Sequence, residues 1–332
     1  MSDQQAPPPH VHVFQMVMGL WHAQIAATAA RFGVADLIAR GVTRSDDIAR
    51  EADADPRALY RFLRAAASAG LFIETEPGSF ANTPVGDCLR SDSPTSLRDF
   101  VIAETAPGHW LPWGRLHDAI KSGHSVTTEA LGVPAWDYYK ANPEEGLAFA
   151  RAMGNLSKIV AMDVVRLYDP SQFRRIVDVG GSQGVLLRAL LDRAPNARGV
   201  LFDLPEVTAS APQDARVEIV SGSFFDTIPE GGDLYVLKSI LHDWPDERCD
   251  AILANVHRAA APGATVLLVE TILTPPPQPS PVTFMDMNML VMLDGRERTA
   301  DEYGEMLRRA GFAMQRVIPT GGMFGLVEAR RI

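Results

Sequence analysis

The apolar run Leu237-Lys-Ser-Ile-Leu241 stops abruptly at His242-Asp243-Trp244-Pro245. A histidine in that place is a candidate general base, because an unperturbed imidazole pKa of ~6.5 suits proton transfer near neutral pH. Position alone gives equal weight to a histidine that merely closes a strand with a satisfied hydrogen bond. Asp243 also has a structural alternative. Asp243-Trp-Pro-Asp246 reads as a helix start, with Asp243 as cap and Pro245 in the first turn.

Four other β-branched runs end on residues of comparable interest: RRIVDVGG, RGVLFDL, RVEIVSG and ATVLLVETIL. The first leads into Asp178-Val-Gly-Gly-Ser-Gln-Gly184. Glycines there permit a tight strand-to-helix turn and close approach of backbone to a ligand. The spacing is not the dinucleotide fingerprint, since Val179 stands where its first glycine belongs, and an unliganded turn is the plain alternative. The second run ends at Asp203, placed for the hydroxyls of a ribose or else a solvated loop acid. The third ends in Ser221-Gly-Ser-Phe-Phe-Asp226, where a phenylalanine either lies against an adenine or closes the core. The last carries Glu270. These ends gather Asp178, Asp203, Asp226, Asp243 and Glu270 with little cationic compensation beyond Lys238. That balance disfavours a pyrophosphate ligand and suits an adenosine-containing cation such as the sulfonium of S-adenosylmethionine. No tight Asp/His/Glu spacing suggests a metal, and two distant cysteines exclude a cysteine zinc site.

The elements that must position these residues follow from periodicity. From about residue 172 strands alternate with helical segments, which implies an α/β domain with a mostly parallel sheet covered on both faces. FAMQRVIP and MFGLVEARR, separated by Thr320-Gly-Gly, read as a closing antiparallel hairpin. Before residue 168 the grammar is helical. One helical pattern covers residues 13–38, a second begins at Thr43 or Ser45 as cap, and a third at Asp55 as cap with Pro56 in its first turn. A hairpin turning at Pro-Gly-Ser follows. Three helices and a hairpin in that order predict a winged helix. The expected division is a helical domain over 1–100, a helical connector over 101–170 and a ligand-binding domain over 171–332.

Composition narrows the classes. At 332 residues the chain is comfortable for two domains of ~150 residues each. The net charge of −10, and nine arginines against twelve acids with no lysine in residues 1–100, argue against nucleic acid as a partner. No signal peptide or apolar span of membrane length is evident, so a cytoplasmic enzyme is expected. The proline-rich residues 1–9 read as disordered.

DVGGSQG, LFDLP, GSFF, LKSILHDW and DGRERT, in this order behind a winged-helix half, resemble the S-adenosylmethionine-dependent O-methyltransferases of small phenolic molecules. That family includes plant caffeate-type enzymes and bacterial enzymes of antibiotic and pigment biosynthesis. The resemblance covers essentially the whole chain. It implies a Rossmann-like seven-stranded methyltransferase sheet with a C-terminal antiparallel strand, behind a winged-helix domain that forms a homodimer. It also implies Gly180, Gly181 and Gly184 beside the methionyl part of the cofactor, with Asp178 and Leu204 in the same cradle and Asp203 on the ribose. Ser223 and Phe224 would flank the adenine, and Lys238 would face the cofactor. His242 would be the base, followed by Asp243 and bracketed by Glu270 and Glu297. Phe149, Met153, Asp286 and Met289 would build the acceptor pocket. Ser182 replaces a common glycine, and Gly-Ser-Phe-Phe replaces the common Gly-Asp-Met-Phe. The implied reaction is methyl transfer to the hydroxyl of a small aromatic acceptor. Non-methylating chemistry on the same cofactor, or DNA binding by the winged helix, are the alternatives. Glu297, between Arg296 and Arg298, has local ion pairing as its bland reading.

Overall fold

A computed structural model describes residues 8–275 and 279–332. The chain forms two compact units, Met1–Trp110 with Tyr139–Asn155, and Leu111–Tyr138 with Leu156–Ile332.

In the first unit, Pro9 opens the helix Pro9–Arg31. Residues 1–7 of the proline-rich start lie outside the described residues. The helical pattern over 13–38 is broken, because Gly33 takes a left-handed φ of 63° and the chain restarts as Val34–Ala39. Neither Thr43 nor Ser45 caps the next helix, Ser45–Glu51, whose cap position holds Arg44. The Ser45 amide instead donates to Gly78 O at 2.8 Å, tying the helix to the hairpin. Asp55 does cap Pro56–Ser68, accepting from Ala58 N. β1 (Phe72–Glu76) and β2 (Ser79–Asn82) then pair antiparallel. Ile48, Leu59, Leu63, Phe72 and Phe80 form the core of this winged helix.

The second unit holds the sheet. Its strands are β3 (Arg175–Val179), β4 (Arg198–Asp203), β5 (Val217–Ser221), β6 (Leu234–Lys238), β7 (Thr265–Leu273), β8 (Arg298–Thr299), β9 (Phe312–Pro319) and β10 (Phe324–Arg331). The spatial order is β5-β4-β3-β6-β7-β10-β9, with β8 added to the far end of β7. Only β10 runs against its neighbours, as the closing hairpin predicts. Side chains alternate between two cores. Leu234 and Val236 pack with Leu187 and Leu190 of the helix Val185–Arg193, while Tyr235 and Leu237 pack with Ile252 and Leu253 of the helix Asp246–Ala259. Burial on both faces is why these strands read as unbroken apolar runs. Each fully buried Val, Leu or Ile contributes about 1.5–3 kcal/mol.

Two local expectations fail at the end of β6. The strand stops at Lys238 rather than Leu241: Ser239 takes a left-handed φ of 53°, and Leu241–Asp243 forms a 3-10 turn. The following helix begins at Asp246 with Pro245 at its cap position and no side-chain cap, so Asp243 does not cap it. Among the described residues, no helix is long and apolar enough to cross a membrane.

Candidate active site

β7 runs past the end of β6, and this overhang builds the site. Lys238 pairs with Val269, and the Ser239 amide still reaches Val269 O at 3.0 Å. One residue later the ladder is replaced by a side chain. Glu270, fully buried within β7, accepts from the amides of Ile240 (3.0 Å) and Leu241 (2.9 Å) through one oxygen. The strand is thereby converted into the turn that presents His242. Glu270 thus holds the backbone behind the histidine rather than its ring.

The ring is held by Glu297. His242 Nδ1 lies 3.0 Å from Glu297 Oε1, and the glutamate is buried. Its arginine neighbours are engaged elsewhere, Arg296 with Asp246 and Glu302 and Arg298 with Asp246, so local pairing is not what occupies Glu297. Asp243 Oδ1 stands 3.4 Å from His242 Nε2. Burial disfavours an imidazolium here, but Asp243, Glu297 and Glu270 outweigh it and raise the His242 pKa to about 10. Burial raises Glu270 to about 7. Asp286, on the helix Val282–Leu293, accepts from the Glu297 amide at 2.9 Å and so fixes the backbone of the residue that holds the base.

The glycine loop is as tight as its sequence implies. A Cβ on Gly181 would lie 2.6 Å from Asp178 Cγ and from Leu201 Cδ1, and one on Gly180 would collide with Ile240. Asp203, half-buried, accepts from the amides of Ser182 (2.8 Å) and Leu204 (2.7 Å). Asp178 is buried with Oδ2 unpartnered, and burial raises its pKa to about 7. Lys238 is lowered by burial, against the pull of Asp178, Glu270 and Asp243. Ser223 Oγ accepts from the Phe225 amide, while Phe224 meets Phe225 and Trp244 edge-on. Phe224 therefore also serves the core, as its plainer reading held. An unpartnered carboxylate oxygen, a loop that a methyl group would fill and an excess of acids fit a ligand with hydroxyls and a positive charge. Among the described residues, no group of three or more His, Cys, Asp or Glu is placed to hold a metal ion.

The four residues assigned to the acceptor divide between the units. Asp286 and Met289 share the second unit with His242. Phe149 and Met153 belong to the first, on the helix Pro143–Leu167. There Phe149 stacks on His109 (ring centroids 5.5 Å apart) and on Tyr139 (5.0 Å). Sequence reasoning missed several supports: the buried Arg298, the Arg296 amide on His242 O (2.9 Å), and Trp113 Nε1 on Asn288 Oδ1 (2.7 Å). The DGRERT stretch carried the first two signals, but its arginines pointed only to Glu297.

Residues 113–313 match the O-methyltransferase domain family, and residues 14–92 match the O-methyltransferase dimerisation domain. The phenazine O-methyltransferase PhzM of Lysobacter antibioticus is 37% identical over 327 residues, 96% of each chain. The crystal structure of LaPhzM superposes with a TM-score of 0.91 at 36% identity, covering 98% of this chain and 100% of that one. An O-methyltransferase from neocarzinostatin biosynthesis, in complex with S-adenosylmethionine and 2-hydroxy-5-methyl naphthoic acid, superposes with a TM-score of 0.78 at 30% identity, covering 93% and 96%. With its acid-rich cradle and its matched catalytic and dimerisation domains, the chain belongs to the S-adenosylmethionine-dependent O-methyltransferase family.

Proposed function

We propose that this enzyme methylates a hydroxyl of a small, flat aromatic secondary metabolite, with His242 as the general base. The observation that carries the reading is the fixing of His242 Nδ1 by the buried Glu297 at 3.0 Å. A neutral imidazole held so donates Nδ1–H to the glutamate and leaves Nε2 as the lone-pair nitrogen. The aromatic relatives and the naphthoic acid complex support the acceptor class.

S-adenosylmethionine supplies the methyl group as an electrophile on a sulfonium. The residues do the rest. Gly180, Gly181 and Gly184 would admit the cofactor's chain, Asp203 would take its ribose hydroxyls, and Asp178, Asp243 and Glu270 would balance its charge. His242 removes the acceptor's proton. A phenol of pKa ~10 facing an ordinary histidine of ~6.5 would make that transfer uphill by about 5 kcal/mol, at 1.36 kcal/mol per pKa unit. A His242 raised to about 10 removes most of that penalty. At neutral pH only the deprotonated minority of His242 is ready to act, so kcat should rise towards alkaline pH.

The homodimer is assigned to the first unit. The helix Pro9–Arg31 buries only Ala27, Ala29 and Ala30, while Val13, Phe14, Met16, Val17, Leu20 and Trp21 stay about half exposed or more. Such a contiguous apolar face belongs against a partner.

The test is turnover of methyl-labelled S-adenosylmethionine with a panel of hydroxylated phenazines, naphthoates and benzoates. Methylated product should form in step with S-adenosylhomocysteine, and H242Q should lower kcat by about 10²–10⁴. An H242Q variant with wild-type turnover overturns the base. Acceptor conversion without S-adenosylhomocysteine would indicate other chemistry on the same cofactor, and salt-sensitive binding to specific DNA would favour a regulator.

A further inference from the structure

Arg298 is fully buried. Its guanidinium is saturated. Nε and Nη2 donate to Asp246 Oδ1 (3.1 and 2.7 Å), Nη1 to Leu241 O (3.0 Å) and Arg296 O (3.1 Å), and Nη2 to Trp244 O (2.9 Å). Leu241 and Trp244 bound the two residues His242 and Asp243. The arginine thus grips the carbonyls on either side of the turn that carries the base.

Glu297 immediately precedes Arg298, and adjacent residues of an extended segment point to opposite sides. One side chain therefore holds the His242 ring while the next holds the backbone carbonyls of Leu241 and Trp244 on either side of it. The segment between the helix Val282–Leu293 and β8 adds two more fixings: the Arg296 amide donates to His242 O, and a Cβ on Gly295 would collide with that same oxygen. A planar fork with five fixed donors suits three carbonyls and a carboxylate, and an ammonium does not replace it.

We propose that Arg298 is a positioning residue for methyl transfer, locking the Leu241–Trp244 turn in register with Glu297 so that the Nδ1 hydrogen bond of His242 is kept short. The proposal rests on His242 as base, but its first readout does not. The charges that act on the ring are Asp243 from its own turn, Glu297 beside β8 and Glu270 from β7. Loosening the turn weakens the Glu297 contact first.

The experiment is an NMR pH titration of the His242 ring in histidine-labelled protein, assigned by the resonance missing from H242Q. R298K and R298Q are compared with wild type, alongside kcat, KM, the affinity for S-adenosylhomocysteine and the melting temperature. The expected result is a His242 titration moved to lower pH in both variants, kcat lowered about 10–100-fold as for lost orienting partners, and unchanged S-adenosylhomocysteine affinity. A wild-type titration in a folded Arg298 variant overturns the proposal, as does a kcat loss that only follows the melting temperature with the titration unmoved. If neither Arg298 variant folds, D246N decides. It removes the arginine's charge partner at a half-exposed site, and should move the titration the same way by less. An unmoved titration in D246N overturns the proposal too. Full activity in H242Q with a shifted titration in R298K would overturn the base and leave the positioning role intact.

Discussion

At the scale of single residues, the site is a contest between burial and neighbouring charge. His242 is buried enough to resist protonation, and three carboxylates reverse that preference. Glu297→Gln keeps the shape and removes one of them. A folded pKa raised above ~6.5 means that the imidazolium stabilises the native state fully below pH ~6.5, and that this contribution disappears as pH rises through about 10. Urea denaturation should therefore show the largest gap between wild type and E297Q below pH ~6.5, closing towards 10. The kcat limb assigned to His242 should move to lower pH, with kcat down about 10²–10⁴, since an amide can also hold the wrong tautomer. Ser182 is a second case. It sits at φ 54°, in the left-handed region that glycine enters more easily. Ser182→Gly relieves left-handed strain of about 1–2 kcal/mol against a glycine entropy cost of about 0.5–1 kcal/mol. A melt raised by a few degrees at most checks this. Asp178, Asp203 and Lys238 were legible because each falls at or near a strand end. The partner of Glu297 was legible only through the family resemblance, because flanking arginines in sequence mimic the ion pairs that Asp246 and Glu302 actually make with them.

Among the elements, the unequal lengths of β6 and β7 do most to make the site. A strand ends when its amides find another acceptor, and here the acceptor is a glutamate thirty residues away by sequence, on the next strand. No local pattern announces that, so LKSIL reads as strand to its last leucine. The same reason hides the helix start: with the turn held by Glu270, Asp243 faces His242 and leaves the cap position to Pro245. The interiors of the strands were easy to read because burial on both faces leaves only apolar residues. Gly295 tests how rigid the junction is. Because the obstructing atom is backbone, Gly295→Ala should cost about 1–3 kcal/mol as overpacking does, seen as a lower denaturation midpoint, and should depress kcat more than S-adenosylhomocysteine affinity. Gly181→Ala should do the reverse. Its Cβ would press on Asp178 and Leu201 beneath the cradle, so calorimetry should show cofactor affinity lost while the His242 titration stays in place.

For the molecule as a whole, the change from helical to alternating grammar near residue 170 carried the fold, since each class of packing leaves its own period in the sequence. What did not carry was the path of the chain, which passes from the first unit to the second at Leu111, back at Tyr139 and over again at Leu156. Acceptor residues assigned to one pocket are thereby spread over two units. The apolar face of Pro9–Arg31 gives a prediction at this scale. Phe14→Asp with Val17→Asp should convert a dimer to a monomer by size-exclusion light scattering. The winged-helix core of Ile48, Leu63 and Phe80 should keep its fold by circular dichroism. A dimer that persists would place the interface elsewhere.

The chain has only two cysteines, and one lies under the base. Cys249 is fully buried, its thiol directed at Leu241 O (3.1 Å) and Trp244 O (3.4 Å), and burial pushes its pKa up to about 12. A thiol so enclosed is inert to alkylation until the turn above it opens. The rate at which an unmodified enzyme takes up a thiol reagent at Cys249, read by mass spectrometry against the more accessible Cys88, becomes a clock for how often the catalytic turn lets go.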